Sequence, residues 1–225
     1  MKKLEGKIAL ITGASQGIGQ GIATAFAAEG ASLILSSRNV ERLNQNAETL
    51  VKAGVDVLVV QTDVTNEAQV KELFRQAMEK FGRLDILVNN AGVFDGGPLD
   101  ELSVEAWDRV IATNLRGPFL CTREAMRIMK AQRDGRIINI GSISAQRVRP
   151  NSAAYSTSKF GISGLTQVTA LEGREFGITC GCLHPGNVEV PTLAESRRLN
   201  GEPTMSADDI AEAAVAMASL QIGRA

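Results

Sequence analysis

A tyrosine and a lysine that could share proton-transfer chemistry stand four residues apart, in the segment Tyr155–Lys159 (YSTSK). In a helix, positions i and i+4 lie on one face, so the two side chains meet there. A neighbouring ammonium stabilises a phenolate and lowers its pKa, which suits a general acid or base near neutral pH. Such a pair is more often a surface contact than a site, so its meaning depends on the motifs around it.

A glycine-rich turn, Thr12–Gly19 (TGASQGIG), stands between a predicted strand, Lys7–Thr12, and a predicted helix, Gly17–Glu29. Glycines let the backbone turn sharply and approach a ligand closely, and the amide groups at a helix N-terminus attract phosphate. The turn therefore indicates nucleotide binding, and because no G-K-[ST] follows, a P-loop is disfavoured. The candidate cofactor-binding residues of the turn are Gly13, Ser15, Gln16, Gly17, Ile18 and Gly19.

The end of the second predicted strand carries the segment Ser36–Asn39 (SSRN). In a nucleotide-binding α/β fold this position meets the adenosine ribose, where an acidic residue would bind both hydroxyls and repel a 2′-phosphate. Arg38 could instead hold a 2′-phosphate, with Ser37 donating a hydrogen bond. We therefore expect NADP(H) to be preferred and NAD(H) to be possible. The alternative is that Arg38 is an exposed loop arginine.

Short apolar runs alternate with longer amphipathic runs along the chain, which predicts βαβ units and a parallel sheet covered on both faces. We predict an α/β fold: a doubly wound parallel sheet of the Rossmann type in three layers, αβα, within one domain that spans residues 1–225. Beyond the first strand and helix, the predicted strands are 33–36, 55–60, 84–88, 136–140 and 178–183, and the predicted helices are 40–52, 67–80, 103–131, 153–175 and 207–220.

The composition argues against several classes of function. Lys plus Arg is 24 and Asp plus Glu is 25, so the formal net charge is −1, which argues against a nucleic-acid partner. No apolar run approaches the roughly 20 residues of a membrane span, and the N-terminus does not resemble a secretory signal. We therefore expect a cytoplasmic protein with no membrane partner. Three cysteines, with Cys180 and Cys182 as buried structural thiols, and a single histidine, His184, argue against a disulfide scaffold and against a metal site.

Together these motifs resemble those of the short-chain dehydrogenase/reductase superfamily, in its single-domain type with TGxxxGxG and YxxxK motifs, over nearly the whole chain. The segment Asn89–Gly92 (NNAG) matches the one that the family carries after its fourth strand. Ser142 lies thirteen residues before Tyr155, as the family's catalytic serine does. Further matches are Asp63 with Val64 after the third strand, Asn114 on the long helix, and Pro185 with Gly186 after the sixth strand.

The resemblance implies catalytic roles for four residues. Tyr155 would be the general acid/base at the substrate oxygen, and Ser142 would hydrogen-bond the same oxygen. Lys159 would bind the nicotinamide ribose and lower the pKa of Tyr155, while Asn114 would hold a water that links Lys159 to solvent. Hydride would pass between the nicotinamide and the substrate carbon. The other cofactor-binding residues that the resemblance implies are Asp63, Val64, Asn90, Ala91, Gly92, Pro185, Gly186 and Val188, together with Tyr155 and Lys159 themselves.

Two departures from the family pattern bear on these expectations. The family's threonine after the Pro-Gly pair, which binds the carboxamide, is Val190 here, and Thr192 is the nearest threonine. The family usually adds a seventh strand after the last helix, whereas only residues 221–225 follow it here, so we expect the sheet to lack that strand. A natural short form and an incomplete sequence are both compatible with this end.

Three further residues near the motifs are interpreted as structural. Asn89 is expected to stabilise the backbone instead of touching the cofactor, and Ser144 is interpreted as a loop residue. His184, which precedes Pro185 at a strand end, is expected to have a structural role and not to line the pocket.

The resemblance also implies partners. We expect a homodimer or homotetramer through the helices 103–131 and 153–175, and a small-molecule carbonyl or alcohol as substrate, such as a ketone, a sugar or a hydroxylated ring compound. A 3-oxoacyl-carrier-protein reductase is an alternative, because Arg133 matches one of the two arginines that such enzymes use for the acidic carrier. Phe176 stands at the second position, with Arg174 near it.

An alternative of another class is a non-catalytic scaffold or sensor that binds NADP(H) without turnover. The presence of all four residues of the catalytic set argues against it.

Overall fold

A six-stranded parallel sheet forms the centre of the computed structural model, which describes residues 2–188 and 203–220. The order across the sheet is β3-β2-β1-β4-β5-β6, and every neighbouring pair is parallel. The predicted doubly wound α/β architecture is therefore confirmed. The strands are β1 Ile8–Thr12, β2 Ser32–Ser37, β3 Val57–Gln61, β4 Ile86–Asn89, β5 Gly135–Ile140 and β6 Ile178–Leu183.

Helices cover both faces of the sheet. Asn39, Asn66, Ser103 and Ser206 each stand at an N-cap, where the side chain accepts hydrogen bonds from amides of the first turn, so polar residues start these helices. The α-helices are α1 Gly17–Ala28, α2 Val40–Lys52, α3 Glu67–Phe81, α4 Val104–Ile111, α5 Gly117–Gln132, α6 Ala153–Gly173 and α7 Ala207–Ser219.

The strands place alternate side chains on opposite faces, and this divides the core in two. Along β1, Ala9 and Ile11 pack with residues of α1, α2 and α7, whereas Ile8 and Leu10 pack with residues of α3 and α5. All four are buried. Apolar side chains on both faces explain why the strands have continuous apolar sequences.

The strand order reverses between β1 and β4, which are neighbours although two strands separate them in sequence. In an open α/β sheet, such a reversal separates the connections on the two sides and leaves a crevice at the carboxyl ends of the strands. The segments that follow β1, β4, β5 and β6 therefore meet around one crevice, and these segments carry the predicted motifs.

The single long helix predicted over 103–131 is wrong in detail. Helices α4 and α5 are separated by one π-helical turn, Ala112–Arg116, and the residues at both ends of this turn keep right-handed helical dihedral angles. Pro118 explains the wider turn, because a proline has no N–H to donate to the carbonyl of Asn114, four residues earlier. The predicted catalytic asparagine therefore sits at the irregular turn.

Buried side chains connect the sheet to the helices on one face. The amide nitrogen of Asn89 donates to Thr122 Oγ1 over 3.0 Å and to Asn139 Oδ1 over 2.8 Å. The expectation that Asn89 stabilises the backbone is therefore wrong, because its amide nitrogen bonds to side chains of α5 and β5. Asn139 continues the chain of bonds to Thr166 in α6 over 2.8 Å.

Some expectations concern residues that the structure does not describe. They are the expectations about Val190, Thr192 and the tail 221–225. Within the described ranges, no helix is long and apolar enough to cross a membrane, and no group of three His, Cys, Asp or Glu could hold a metal ion. Cys121 is buried, and Cys180 and Cys182 are half-buried free thiols.

Candidate active site

The glycine-rich turn packs so closely on the segment after β4 that side chains would not fit. A Cβ atom on Gly19 would lie 2.4 Å from the Gly13 oxygen and 2.4 Å from Asn90 Nδ2, and one on Gly13 would lie 2.8 Å from Ala91 Cα. Asn90 Nδ2 donates to the carbonyls of Thr12 and Gly13 over 2.9 and 3.1 Å. Asn90 thus holds the turn in shape, and Gly13 has a φ of +67°, which glycine adopts at low cost.

The first turn of α1 has no side-chain cap. Gln16 is the N-cap residue, but its side-chain oxygen accepts a hydrogen bond from the guanidinium of Arg42 instead of capping the first turn. The amide groups of that turn, which begins at Gly17, therefore point toward the crevice with the positive end of the helix dipole. Ser15 lies beside them and accepts a 2.9 Å hydrogen bond from Ser37 at the end of β2.

Two arginines follow β2, beside the cradle that the glycine-rich turn and the start of α1 form. Arg38 directly follows β2 and is exposed, and Arg42, in the first turn of α2, contacts Gln16. The sequence motifs pointed to Arg38 and not to Arg42. No local pattern marks Arg42, because its contact with Gln16 depends on the position of α2 beside α1.

Asp63 and Val64, which the resemblance implies as cofactor-binding residues, follow β3. Asp63 Oδ1 accepts hydrogen bonds from the amide and the hydroxyl of Thr65 over 2.9 and 2.8 Å, so this carboxylate shapes the turn before α3. Val64 is buried, and a Cβ on Gly117 would approach its Cγ2 to 2.8 Å. Both lie at the carboxyl end of the sheet, on the same side as the cradle.

Asn114 is held rigidly at the π-helical turn. Its Oδ1 accepts from the amide of Val93 and its Nδ2 donates to the carbonyl of Val93, each over 2.8 Å. The same nitrogen lies 3.3 Å from Ser158 Oγ, which donates to the carbonyl of Tyr155 over 2.6 Å. The side chain of Asn114 thus links the segment after β4, which includes Gly92, to the first turns of α6.

Lys159 and Tyr155 face each other on α6. The Lys159 ammonium lies 5.5 Å from the centre of the Tyr155 ring and donates to the carbonyl of Ile140, the last residue of β5, over 2.8 Å. On another side, the ring of Phe94 meets the Tyr155 ring edge-on, with centroids 5.3 Å apart. Phe94 was not singled out from the sequence, because an exposed loop phenylalanine carries no motif.

Burial shifts the protonation of Lys159. Its side chain is 7% exposed, and desolvation lowers its pKa from 10.5 to about 8, although a neighbouring thiol, Cys182, opposes the shift. At pH 7 the ammonium form therefore still predominates, and it is the form that stabilises a phenolate.

Ser142 lies two residues beyond β5, in extended backbone, and is buried. Its hydroxyl oxygen accepts a hydrogen bond from the amide of Ser144 over 3.1 Å. The hydroxyl proton remains available as a donor, because one hydroxyl can accept and donate at once. Ser144 lies in a short 3-10 helix, Ile143–Ala145, and not in a loop as expected, and its amide orients Ser142.

The segment after β6 completes this end of the crevice. Pro185 and Val188 are buried, and Val188 pairs with Met205 in a single parallel bridge. A cavity of about 420 Å³ opens here, and its lining includes Ile143, Arg149, Gly186, Asn187 and Met205. A second cavity, of about 280 Å³, lies at the opposite end of the sheet, beside Lys3, Lys7, Arg133 and Arg136.

The buried charge of Lys159 yields a prediction on stability. Lys159→Met should raise the free energy of unfolding at pH 6 by up to about 3 kcal/mol, the energy that corresponds to a pKa lowered from 10.5 to about 8. The unfolded chain binds the proton more tightly than the folded chain. The wild type should therefore gain stability as the pH rises from 8 to 10.5. The difference in unfolding free energy between the two proteins should shrink through this range and vanish above it. Urea unfolding at several pH values measures this.

The exposed Lys52 at the end of α2 gives the matched control. Lys52→Met should leave the unfolding free energy nearly unchanged both at pH 6 and above pH 10.5. A Lys159→Met variant that is less stable than the wild type at pH 6 would contradict the expectation that the buried ammonium carries a cost.

Comparisons with known proteins agree with this geometry. The family model described as short chain dehydrogenase matches residues 7–200. A 3beta-hydroxysteroid dehydrogenase of Mediterraneibacter gnavus is 37% identical over 197 residues, which cover 87% of this chain and 71% of that protein. A 3-oxoacyl-[acyl-carrier-protein] reductase of Synechocystis is 35% identical over 206 residues, which cover 91% and 82%.

A solved structure agrees as well. The crystal structure of a short-chain type dehydrogenase/reductase from Mycobacterium marinum superposes with a TM-score of 0.91 at 29% identity, and covers 96% of this chain and 89% of that one. With most of its length matched by the family model, and with relatives above 30% identity, this chain belongs to the short-chain dehydrogenase/reductase family of oxidoreductases.

Proposed function

We propose that this chain is an NADP(H)-dependent oxidoreductase that interconverts a carbonyl and a secondary alcohol, with Tyr155 as the general acid/base. The observation that carries the proposal is the buried Lys159 ammonium, 5.5 Å from the centre of the Tyr155 ring and bonded to the end of β5. A buried charge with a lowered pKa, placed beside a group that can lose a proton, is typical of catalytic sites.

The chain's residues fit a nicotinamide dinucleotide. The closely packed glycines of the turn and the anion-receiving start of α1 suit its pyrophosphate, and the segments after β4 and β6 border the place for the nicotinamide. A bound nicotinamide supplies or accepts the hydride. We assign the dinucleotide to Gly13, Ser15, Gln16, Gly17, Ile18, Gly19, Ser37, Arg38, Asp63, Val64, Asn90, Ala91, Gly92, Tyr155, Lys159, Pro185, Gly186 and Val188.

The protein's part in the reaction is proton transfer at the substrate oxygen. During reduction, Tyr155 gives its phenolic proton to that oxygen, and the hydroxyl of Ser142 donates a hydrogen bond to it. The Lys159 ammonium stabilises the phenolate that Tyr155 becomes. Asn114, held on both amide atoms by Val93, lies next to the turn that carries Tyr155, where a water bound to it would connect Lys159 to solvent.

Replacing the tyrosine tests the acid/base role. Tyr155→Phe removes the proton donor and keeps the ring against Phe94, so kcat/KM for ketone reduction should fall by roughly 10²–10⁴-fold. The dissociation constant for NADPH, read by nucleotide fluorescence, should change by less than about threefold. Turnover that survives the substitution would refute the mechanism. A wild type that binds NADPH but turns over no carbonyl in a broad screen would favour the scaffold or sensor.

The preference for NADP(H) rests on the charge at the end of β2. The segment Ser36–Asn39 has no acid to repel a 2′-phosphate, and it places Arg38 beside the hydroxyls of Ser37 and Ser15. The guanidinium of Arg42 adds a second positive charge on the same side. A guanidinium matches the geometry of a phosphate in a way that an acid cannot.

Arg38→Asp should therefore weaken NADPH binding by roughly 10–100-fold and leave NADH binding unchanged or stronger. Fluorescence titration with both nucleotides measures the ratio of the two dissociation constants. Arg75→Asp, on the exposed face of α3, is the matched control and should leave the ratio as it is. An unchanged ratio in Arg38→Asp would exclude the phosphate role.

A small carbonyl compound remains the substrate that we propose. The 420 Å³ cavity next to the segments after β5 and β6 has the size of a small-ligand site, and Ile143 and Met205 give it apolar walls. The 3-oxoacyl-carrier-protein reductase stays as the second candidate, because the relative from Synechocystis carries that name.

The arginine expected for an acyl carrier lies far from the site in the same subunit. Arg133 precedes β5, so the six residues of that strand, about 20 Å long, separate it from the end that carries Ser142. Its guanidinium donates to the carbonyl of Glu175 over 2.9 Å and stacks on Phe176, 5.8 Å from the ring centre. These contacts give Arg133 a structural role beside any part in carrier binding.

We also propose a dimer through α5 and α6, with a tetramer as a further assembly. Exposed apolar side chains on these helices are Phe119, Phe160, Val168 and Leu171, between 46% and 63% exposed, and together they would form an apolar face. Leu171→Glu should shift the protein toward monomers in sedimentation velocity, whereas Val51→Glu, at a similar exposure on α2, should not. Equal behaviour of the two variants would exclude this interface.

A further inference from the structure

We infer that His184 positions the catalytic Ser142, through a hydrogen bond from its ring Nδ1–H to the main-chain carbonyl of Ser142. The inference rests on the proposed function, in which Ser142 hydrogen-bonds the substrate oxygen. His184 would then be a positioning residue, which acts through Ser142 without touching substrate or cofactor.

The bond belongs to a set that ties the segment after β5 to the end of β6. His184 Nδ1 lies 2.9 Å from the carbonyl oxygen of Ser142. On either side, the amide of Gly141 donates to Leu183 over 2.6 Å, and the amide of Ile143 donates to Pro185 over 3.0 Å. Three successive residues around the catalytic hydroxyl are therefore held by three successive residues of the neighbouring segment.

A side chain has to supply the middle bond. In a parallel pair, alternate residues of one strand bond to the same neighbour, and here the amides of Gly141 and Ile143 bond to Leu183 and Pro185, so the main chain of that segment offers no donor to the carbonyl of Ser142 between them. The ring of His184 supplies a donor to this carbonyl. It does so at Ser142, the residue whose hydroxyl the proposed reaction uses. Without that bond, the carbonyl of Ser142 would lose a partner in a half-buried place, and the backbone would have more freedom there.

The ring also lies directly against the backbone that it holds. A Cβ on Gly141 would meet His184 Nδ1 at 2.7 Å and Cys182 Sγ at 2.7 Å, so glycine is required for this approach. The hydrogen bond and the close packing restrict Ser142 to one placement. That placement directs its hydroxyl, which also accepts from the amide of Ser144.

The chemistry of the bond defines the state of the ring. A carbonyl oxygen only accepts, so Nδ1 must carry the proton. The neutral ring is therefore the Nδ1–H tautomer with an unprotonated Nε2, and a protonated ring would make the same bond. The role of His184 is to hold the main chain, and it needs no proton exchange during turnover.

A matched pair of substitutions at His184 separates the effect of the hydrogen-bond donor from the effect of the side chain's shape. Asn has an amide nitrogen at the position of Nδ1, and Leu has a methyl group there. With NADPH and ethyl acetoacetate, or the best ketone of the screen, His184→Leu should lower kcat roughly tenfold, while KM and the NADPH dissociation constant stay within about twofold. His184→Asn should recover kcat to within about threefold of the wild type. Equal activities of the two variants would overturn the inference.

A double-mutant cycle shows whether His184 acts through Ser142. In a Ser142→Ala background, His184→Leu should change kcat by less than about twofold, because the hydroxyl that it positions is gone. Independent, multiplicative losses would overturn the inference. If Ser142→Ala alone leaves kcat unchanged, the proposed role of Ser142 fails first, and this outcome is distinguishable because it does not involve His184.

The wild type offers a measurement that needs neither substrate nor a variant. His184 is the only histidine in the chain, so its imidazole nitrogens give unambiguous NMR signals after ¹⁵N labelling. In the neutral ring we expect a protonated Nδ1 with a slowly exchanging hydrogen and an unprotonated Nε2. A neutral ring with the proton on Nε2 would overturn the inference, even if every variant of His184 failed to fold.

Discussion

The hydrogen bond between the buried ammonium of Lys159 and the carbonyl of Ile140 joins the two elements on which the site depends. A buried charge is costly, and it persists only where surrounding packing fixes it. That packing comes from small residues of α6. A Cβ on Gly161 would lie 2.8 Å from a methyl group of Leu115, and one on Gly173 would lie 2.9 Å from Cβ of Ile178, so the helix sits close to its neighbours. The sequence of α6, rich in Ser, Gly and Ala, is therefore part of how the charge is held.

A second constraint links the glycine-rich turn, which we propose as the cofactor cradle, to the residues proposed for catalysis. The short segment after β4 supports both: Asn90 bonds the glycine-rich turn, and Val93 bonds both amide atoms of Asn114. A displacement of this segment would change the cradle and the proton-transfer site together. The family's N-N-A-G sequence thus acts here as a structural connection between two halves of the crevice, and Asn89 extends it into the core through β5.

The sequence predicted the fold well because its signals are local and repeated. Apolar strands alternating with amphipathic helices specify parallel pairing, and the glycine-rich turn marks where the first strand ends. The resemblance then supplied candidate site residues, and the structure places them around one crevice. What the sequence did not reveal depends on contacts between distant segments. The bond from His184 to Ser142 requires the register of β5 against β6, and the contact of Arg42 with Gln16 requires the position of α2 beside α1. The interruption at 112–116 did have a local signal, Pro118, whose missing N–H falls opposite Asn114.

The π-helical turn also sets the tolerance of this helix to changes in length. It holds one more residue than an α-helical turn would, and an α-helix rotates about 100° per residue. Deleting one residue between 112 and 116 would remove the extra residue of the turn, while Pro118 would still lack an N–H to donate. The deletion would turn one flanking helix by roughly a quarter of a revolution relative to the other. Asn114 would then point away from Val93, or α5 would present a different face to the sheet. This helix must therefore keep its number of residues.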